Sequence, residues 1–206
     1  MGVVTTHRWF LPETPDVLGL LRSQVAVTIA GLDAFRAWAA GEAAAAGHVR
    51  EAEHRGNAAK RELLVALRAA FVTPMEPEDV FALSRGVDRL LNYARDLINE
   101  SDAMACPPDA RIAEMAALVG AALRHIDLAV ASLGSDSDKA TEAADAAIAE
   151  ERGLERAYYE GMAALLDVED RNERIARREL YRSCARLGET VVDIAERVVY
   201  AVMKES

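Results

Sequence analysis

Apolar residues recur every three or four positions along almost the whole chain, which is the spacing of one face of an α-helix. Pro, Gly and Asp divide this pattern into six segments, because such residues end helices or cap their starts. Thr14-Pro15-Asp16, for example, is typical of a helix start. The predicted helices span roughly residues 14–41 (or 14–47), 47–72, 77–100, 108–133, 138–166 and 172–204. Phe71 and Ile175 lie on the apolar faces of the second and sixth segments and are predicted to point inward.

The six segments form two sets of three, separated by a linker over residues 101–108 that ends in Cys106-Pro107-Pro108. The pattern predicts an all-α protein of six helices, arranged as two repeated three-helix bundles. We expect residues 1–206 to form a single domain, with pseudo-repeats over residues 14–100 and 108–204. Four glycines lie inside predicted helices near the acidic pairs, where Gly costs about 1 kcal/mol relative to Ala: Gly56, Gly86, Gly153 and Gly188. They predict close approach between helices.

Composition narrows the classes of function. Hydrophobic residues make up 51% of the chain and charged residues 28%, which is typical of a globular protein. No uninterrupted apolar run reaches about 18 residues, so we expect no membrane span and no secretory signal. Two cysteines provide no disulfide framework and fit a reducing cytoplasm. A net charge of −10 argues against binding to nucleic acid.

Four predicted helices carry an acidic residue followed, four positions later, by another acid or by Asn. The pairs are Glu53 with Asn57, Asp88 with Asn92, Glu151 with Glu155, and Glu189 with Asp193. Residues four apart share one helix face, so two facing helices can bring four oxygen-bearing side chains together. Such oxygens suit hard cations, and the candidates are iron, manganese, zinc, magnesium and calcium. The second half is the more acidic, with a net charge of −8 over residues 101–206 against −2 over residues 1–100.

An alternative interpretation needs no metal. Acids four residues apart also arise by chance on helix surfaces. Arg152, Arg156 and Arg186 lie near the second-half acids in sequence and could neutralise them. On this hypothesis the protein is a metal-free helical scaffold that binds a protein partner.

Several segments resemble a known family. Glu53-His-Arg-Gly-Asn57 is similar to its Glu-His-Glu-Gly/Ala-Asp motif. Phe71-Val-Thr-Pro-Met-Glu-Pro-Glu-Asp-Val-Phe-Ala-Leu83 and Val87-Asp-Arg-Leu-Leu-Asn-Tyr93 resemble two further segments, and Arg8–Pro12 and Val202–Ser206 fit its two ends. The family is that of the PhoU-like phosphate-transport regulators, in the branch often found beside low-affinity (Pit) phosphate transporters.

The resemblance implies two three-helix bundles whose acidic motifs hold multinuclear metal clusters. It implies a cytoplasmic regulator or accessory protein of inorganic phosphate transport, with no catalytic reaction of its own. The implied partner is a phosphate transporter at the inner face of the membrane, which would make the protein peripheral to the membrane, and a homodimer is compatible with this role.

The chain departs from the family at several positions. Asn57 and Asn92 stand where the family usually has Asp, so the first-half site should hold cations more weakly. Ala185 stands where relatives often have a further acid. If a single metal site survives, we expect it in the second half, at the four residues Glu151, Glu155, Glu189 and Asp193.

A carboxylate metalloenzyme is a more distant alternative. Glu51-Ala-Glu-His54 is one Glu-x-x-His motif, whereas ferritin-like di-iron proteins need two such motifs and two further Glu residues. We therefore expect no enzymatic activity.

A basic stripe on the sixth helix is a candidate contact for phosphate, anionic lipid or an acidic partner loop. Its residues are Arg171, Arg174, Arg178 and Arg182, continued by Arg186. The alternative is a solvated face paired with nearby Asp170, Glu173 and Glu179.

Overall fold

The computed structural model describes residues 15–205 as a bundle of six α-helices. They are α1 (Val17–Ala39), α2 (Ala45–Ala69), α3 (Pro77–Met104), α4 (Ala110–Ser132), α5 (Ser137–Ala164) and α6 (Arg171–Glu205). A short 3₁₀ turn, Leu165–Asp167, follows α5, and residues 15–205 contain no strand. The predicted cap residue Thr14, the segment Arg8–Pro12 and the last residue, Ser206, lie outside the described residues.

Aspartates define where four of the helices begin. Asp16 accepts a hydrogen bond from the Gly19 N–H, and Asp109 accepts two from the first turn of α4. Asp136 and Asp170 cap α5 and α6 in the same way. A carboxylate at this position satisfies backbone N–H groups that have no partner within the helix.

The boundaries differ from prediction at two turns. α3 continues to Met104, because the Ser101 hydroxyl donates to the Cys106 carbonyl and the Cys106 N–H donates back to the Ser101 carbonyl. The linker is therefore shorter than predicted. α2 ends at Ala69, and the extended backbone of Ala70 turns the following residue away from the helix face. Phe71 is consequently 96% exposed, and its predicted inward orientation is wrong.

Ile175 is also wrongly placed by the pattern, since it is 49% exposed in the first turns of α6. Residues 171–175 are all exposed, and the buried face of α6 begins at Ala176. Apolar periodicity alone does not show where the neighbouring helices end.

The helices form the two three-helix bundles that the pattern predicts. α1, α2 and α3 contact one another, as do α4, α5 and α6. The bundles join where α1 contacts α4 and where α3 contacts α6. α3 and α6 run antiparallel, since Asp79 near the start of α3 pairs with Arg197 near the end of α6. Buried residues from both bundles make one continuous core.

Glycine allows the helices to approach closely at all four predicted positions, with Gly56 beside Leu91 and Gly153 beside Leu118. A Cβ atom at Gly86 of α3 would lie 2.5 Å from Ile194 Cγ1 of α6. A Cβ atom at Gly188 of α6 would lie 3.1 Å from Leu154 Cδ2 of α5. A side chain at Gly86 would not fit unless Ile194 moved, and one at Gly188 would require Leu154 to shift slightly, so these glycines help to set the distance between α6 and its neighbours.

Two of the described helices, α1 and α4, have the length and hydropathy that would suit a membrane span. Charged residues such as Asp33 and Arg124 interrupt their apolar runs, which is why no uninterrupted run of about 18 residues occurs in the sequence. Each of these helices contacts three others. In the most apolar stretch of each helix, 39% of α1 and 56% of α4 is buried inside the bundle.

Candidate functional site

The first-half acids lie between α2 and α3 and are already paired with cations of the chain. Glu53 of α2 and Asp88 of α3 have side chains that are only 7% and 12% exposed. Arg95 Nη1 lies 2.7 Å from Glu53 Oε1, and Lys60 Nζ lies 2.6 Å from Asp88 Oδ2. A buried carboxylate needs such a partner, because removing its charge from water is costly.

The two first-half asparagines also serve these carboxylates. The Asn57 amide donates to Glu53 Oε1 at 2.8 Å, and the Asn92 amide donates to Asp88 Oδ2 at 3.2 Å. Asn57 and Asn92 were predicted to offer their amide oxygens as weak metal ligands. In the structure each instead directs its N–H group at the acid of its own helix. The pKa of Arg95 is raised, first by its hydrogen bond to Asp96 and further by the nearby Glu53 and Asp88 carboxylates.

The second-half acids have a different environment. Glu151 and Glu155 of α5 and Glu189 of α6 line one cleft between these helices, with a volume of about 510 Å³. Burial, and then the negative charges of Glu155 and Glu189, raise the pKa of Glu151, while Arg152 opposes the shift. No Lys, Arg or His within residues 15–205 forms an ion pair with any of these three acids.

Asp193 does not join them. It lies one turn further along α6, where Arg89 of α3 comes within 3.1 Å of its Oδ2 atom. The close approach of α3 to α6 at Gly86 brings Arg89 to this position. The structure thus brings together three of the four predicted second-half residues, and the fourth pairs across the junction between the bundles.

The cleft contains carboxylate oxygens, which suit a hard cation, although these oxygens do not converge on a single position. Among the described residues, no three His, Cys, Asp or Glu side chains form a group close enough to hold a metal ion. The three cleft glutamates are nevertheless partly exposed, unpaired and carried on flexible side chains. A cation bridging them would require changes in side-chain rotamers and would remove their mutual repulsion.

The arginine stripe divides into different environments. Arg174 donates from Nε and Nη2 to the Val168 carbonyl at 3.0 and 2.6 Å, which ties it to the turn before α6. Arg182 lies 3.6 Å from Glu179 and lines the acidic cleft. Arg171 and Arg178 are exposed and have no ion-pair partner within the described part of the chain. Of the three acids proposed to pair with the stripe, only Glu179 does so.

Arg186, at the end of this stripe, lines the same cleft but forms no ion pair with the acids that it was expected to neutralise. Its guanidinium donates to the Ser183 hydroxyl at 2.7 Å and lies 3.6 Å from Glu100 of α3. Among the residues that line the cleft, glutamates still outnumber arginines, so an excess of negative charge remains.

Sequence reasoning missed Lys60 and Arg95 as partners of the first-half acids. A signal was present, because each base follows its own helix's acid by seven residues, which is two helical turns. It also missed Tyr158 and Tyr159, which line the cleft beside Glu155. Nothing in their spacing distinguishes them from ordinary helix residues.

Comparison of the sequence with protein-family models gives no match, and neither does comparison with curated proteins. The fold does match solved structures. A PhoU-like protein from Shewanella oneidensis MR-1 has a TM-score of 0.69, covers 92% of this chain and 97% of its own, and is 14% identical. A PhoU-like phosphate regulatory protein from the same organism matches with a TM-score of 0.67 at 13% identity, over 92% of this chain and 96% of its own.

The phosphate transport system regulatory protein PhoU from Streptococcus pneumoniae also has a TM-score of 0.67, at 13% identity and with 92% of each chain covered. In each case the match includes both three-helix bundles, since nearly the whole of both chains is aligned. The chain therefore has the fold of the PhoU-like phosphate regulatory proteins.

Proposed function

We propose that the protein regulates inorganic phosphate uptake in the cytoplasm, by binding to a phosphate transporter at the inner face of the membrane. The observation that carries this proposal is the full-length likeness to PhoU-like phosphate regulatory structures, which covers 92% of the chain. A fold by itself does not determine a function, so the site must supply the mechanism. Regulation through binding requires no catalytic residues.

The cleft between α5 and α6 is the proposed point of control. Glu151, Glu155 and Glu189 line this cleft with no ion-pair partner among the described residues, and burial, followed by the charges of Glu155 and Glu189, raises the pKa of Glu151. A divalent cation would supply the missing positive charge, with magnesium, calcium, manganese, iron and zinc as candidates. Arg182 lines the same cleft and would contact an anionic group of the partner or phosphate itself.

Cation binding is tested by isothermal titration of chelator-treated protein with each metal and by melting curves with and without it. A ligand at 100 times its Kd stabilises a fold by about 2.7 kcal/mol, which corresponds to a rise in Tm of about 5–10 °C for a protein of this size. Glu151→Gln combined with Glu189→Gln should abolish this rise. Glu142→Gln combined with Asp145→Asn is a matched control, because it removes two exposed charges from α5 outside the cleft.

The role in phosphate uptake is tested in the native host. Cells that lack the protein should take up labelled phosphate at an altered rate when phosphate is limiting. Wild-type protein and the Glu142/Asp145 control should restore normal uptake, and the Glu151/Glu189 variant should not. Unaltered uptake in the deletion strain would rule out the proposed function.

One observation favours a second candidate, the metal-free scaffold that binds a protein partner. No three potential ligands within the described residues are already grouped for a metal. If no metal raises Tm and the Glu151/Glu189 variant still restores uptake, the protein acts through its surface without a cation.

A further inference from the structure

The two helices of the first-half site share a pattern that the second half lacks. On α2, Glu53 is followed by Asn57 and then by Lys60; on α3, Asp88 is followed by Asn92 and then by Arg95. Each sequence is an acid, an amide at the fourth position after it and a base at the seventh. At the corresponding seventh positions the second-half motifs have Tyr158 and Glu196, neither of which is basic.

The antiparallel arrangement of α2 and α3 makes the two sequences reciprocal. The acid of α2 faces the base of α3, with Glu53 Oε1 and Arg95 Nη1 2.7 Å apart. The acid of α3 faces the base of α2, with Asp88 Oδ2 and Lys60 Nζ 2.6 Å apart. Within each helix the Asn amide donates to its own acid. The pairing is therefore complete without any added ion.

Burial distinguishes this network from surface ion pairs. The carboxylates of Glu53 and Asp88 are 7% and 12% exposed, whereas the surface pair of Arg50 and Asp102 is 43% and 67% exposed. Arg95 also lies within electrostatic reach of both buried acids. A second cation between these carboxylates would be repelled by the two bases already present.

We propose that Lys60 and Arg95 are built-in counter-ions that occupy the place of a metal between α2 and α3. Since each base already balances one of the two acids, the first bundle is held together without metal. Any cation response of the protein is confined to the α5–α6 cleft. The pairing in the first bundle stands whether or not the second-half cleft binds a cation.

The first test uses the wild-type protein and Mn²⁺ alone. Paramagnetic Mn²⁺ broadens the NMR signals of nearby amides. At one equivalent, the amide signals of Gly56 and Asn92 should keep their full intensity, and only those near Gly188 should be lost. Loss of the Gly56 and Asn92 signals would overturn the proposal. Full retention of all three would support the built-in counter-ions while ruling out Mn²⁺ at the second-half cleft, so the two ideas fail separately.

The second test converts the first-half site, in protein that carries Glu151→Gln and Glu189→Gln. One variant adds acids alone, with Asn57→Asp and Asn92→Asp. A second adds the same acids and removes both bases, with Lys60→Ala and Arg95→Ala. The second variant should bind Mn²⁺ at least tenfold more tightly than the first. Equal affinity would mean that the bases do not exclude the cation, and would overturn the proposal.

If the variant without either base does not fold, a single replacement keeps the test decisive. Arg95→Ala with both added acids retains Lys60 and half of the network. It should still bind Mn²⁺ more tightly than the variant with added acids alone, and equal affinity would again overturn the proposal. Circular dichroism establishes that each titrated variant is helical.

Discussion

Replacing Arg95 by Met should destabilise the protein strongly, although Arg95 lies on a helix near the surface. The substitution keeps most of the aliphatic side chain and removes the guanidinium. Glu53, which is 7% exposed, then loses the cation 2.7 Å from its Oε1 atom. Its remaining partners are the Asn57 amide at 2.8 Å and the exposed His54, with Nδ1 at 3.4 Å.

The size of the effect follows from burial. Removing one partner of a buried ion pair costs about 3–5 kcal/mol, because the other charge is left without compensation. The Asn57 amide continues to donate, and Arg95 itself is 32% exposed, so the loss should lie at or just below the lower end of this range. We expect a loss of about 2–3 kcal/mol in the free energy of unfolding. For a protein of this length, Tm should fall by about 5–10 °C.

Urea unfolding followed by circular dichroism measures this loss. Arg50→Met is the matched control, because Arg50 pairs with Asp102 across 3.3 Å with both side chains substantially exposed. An exposed pair of this kind contributes only about 0.2–1 kcal/mol. Adding Glu53→Gln to Arg95→Met should recover part of the loss by removing the buried charge. Similar losses for Arg95→Met and Arg50→Met, or no recovery in the double variant, would refute the reasoning.

Three further outcomes follow from packing, charge and exposure. Gly86→Ala should lower the free energy of unfolding by about 1–3 kcal/mol, because the new Cβ would lie 2.5 Å from Ile194 Cγ1. Gly120→Ala in α4 is the control: its Cβ would meet nothing closer than 3.5 Å, so it should raise the free energy of unfolding by up to about 1 kcal/mol. Urea unfolding distinguishes the two outcomes. Glu151→Gln should raise the stability of chelator-treated protein at pH 7, because a folded-state pKa raised above the unfolded value means that the ionised carboxylate destabilises the fold. This gain in stability should shrink as pH falls through the folded-state pKa and vanish below the unfolded-state pKa. A gain that grows on acidification would contradict the assigned sign. Phe71→Ser should change the free energy of unfolding by no more than about 0.5 kcal/mol, since Phe71 is 96% exposed, and a loss above 1 kcal/mol would show that this side chain is packed.

Local patterns were enough to predict the architecture. The apolar repeat and the Pro, Gly and Asp breaks predict six helices in two sets of three, and the structure confirms this arrangement. The four glycines at positions 56, 86, 153 and 188 were correctly identified as points of close approach. These predictions succeed because helix periodicity and helix breaks depend on residues only a few positions apart.

The pairing of charges could not be deduced in the same way. Four similar motifs in the sequence occupy different electrostatic environments in the fold. Asp193 is paired by Arg89 of another bundle, and Glu53 by Arg95 of the neighbouring helix. Glu151 has no such partner among the described residues. Helix register and the distance between helices determine which base reaches which acid, and both come from packing of the whole core.

The sequence alone thus determined the number of helices, their order and which residues carry oxygen donors. Only the tertiary structure showed that one pair of helices already supplies its own counter-ions, while the other leaves three carboxylates in a cleft with no ion-pair partner among the described residues. Helix formation is decided by local contacts along the chain. Charge compensation acts across space between residues up to 128 positions apart, so it depends on how the helices pack.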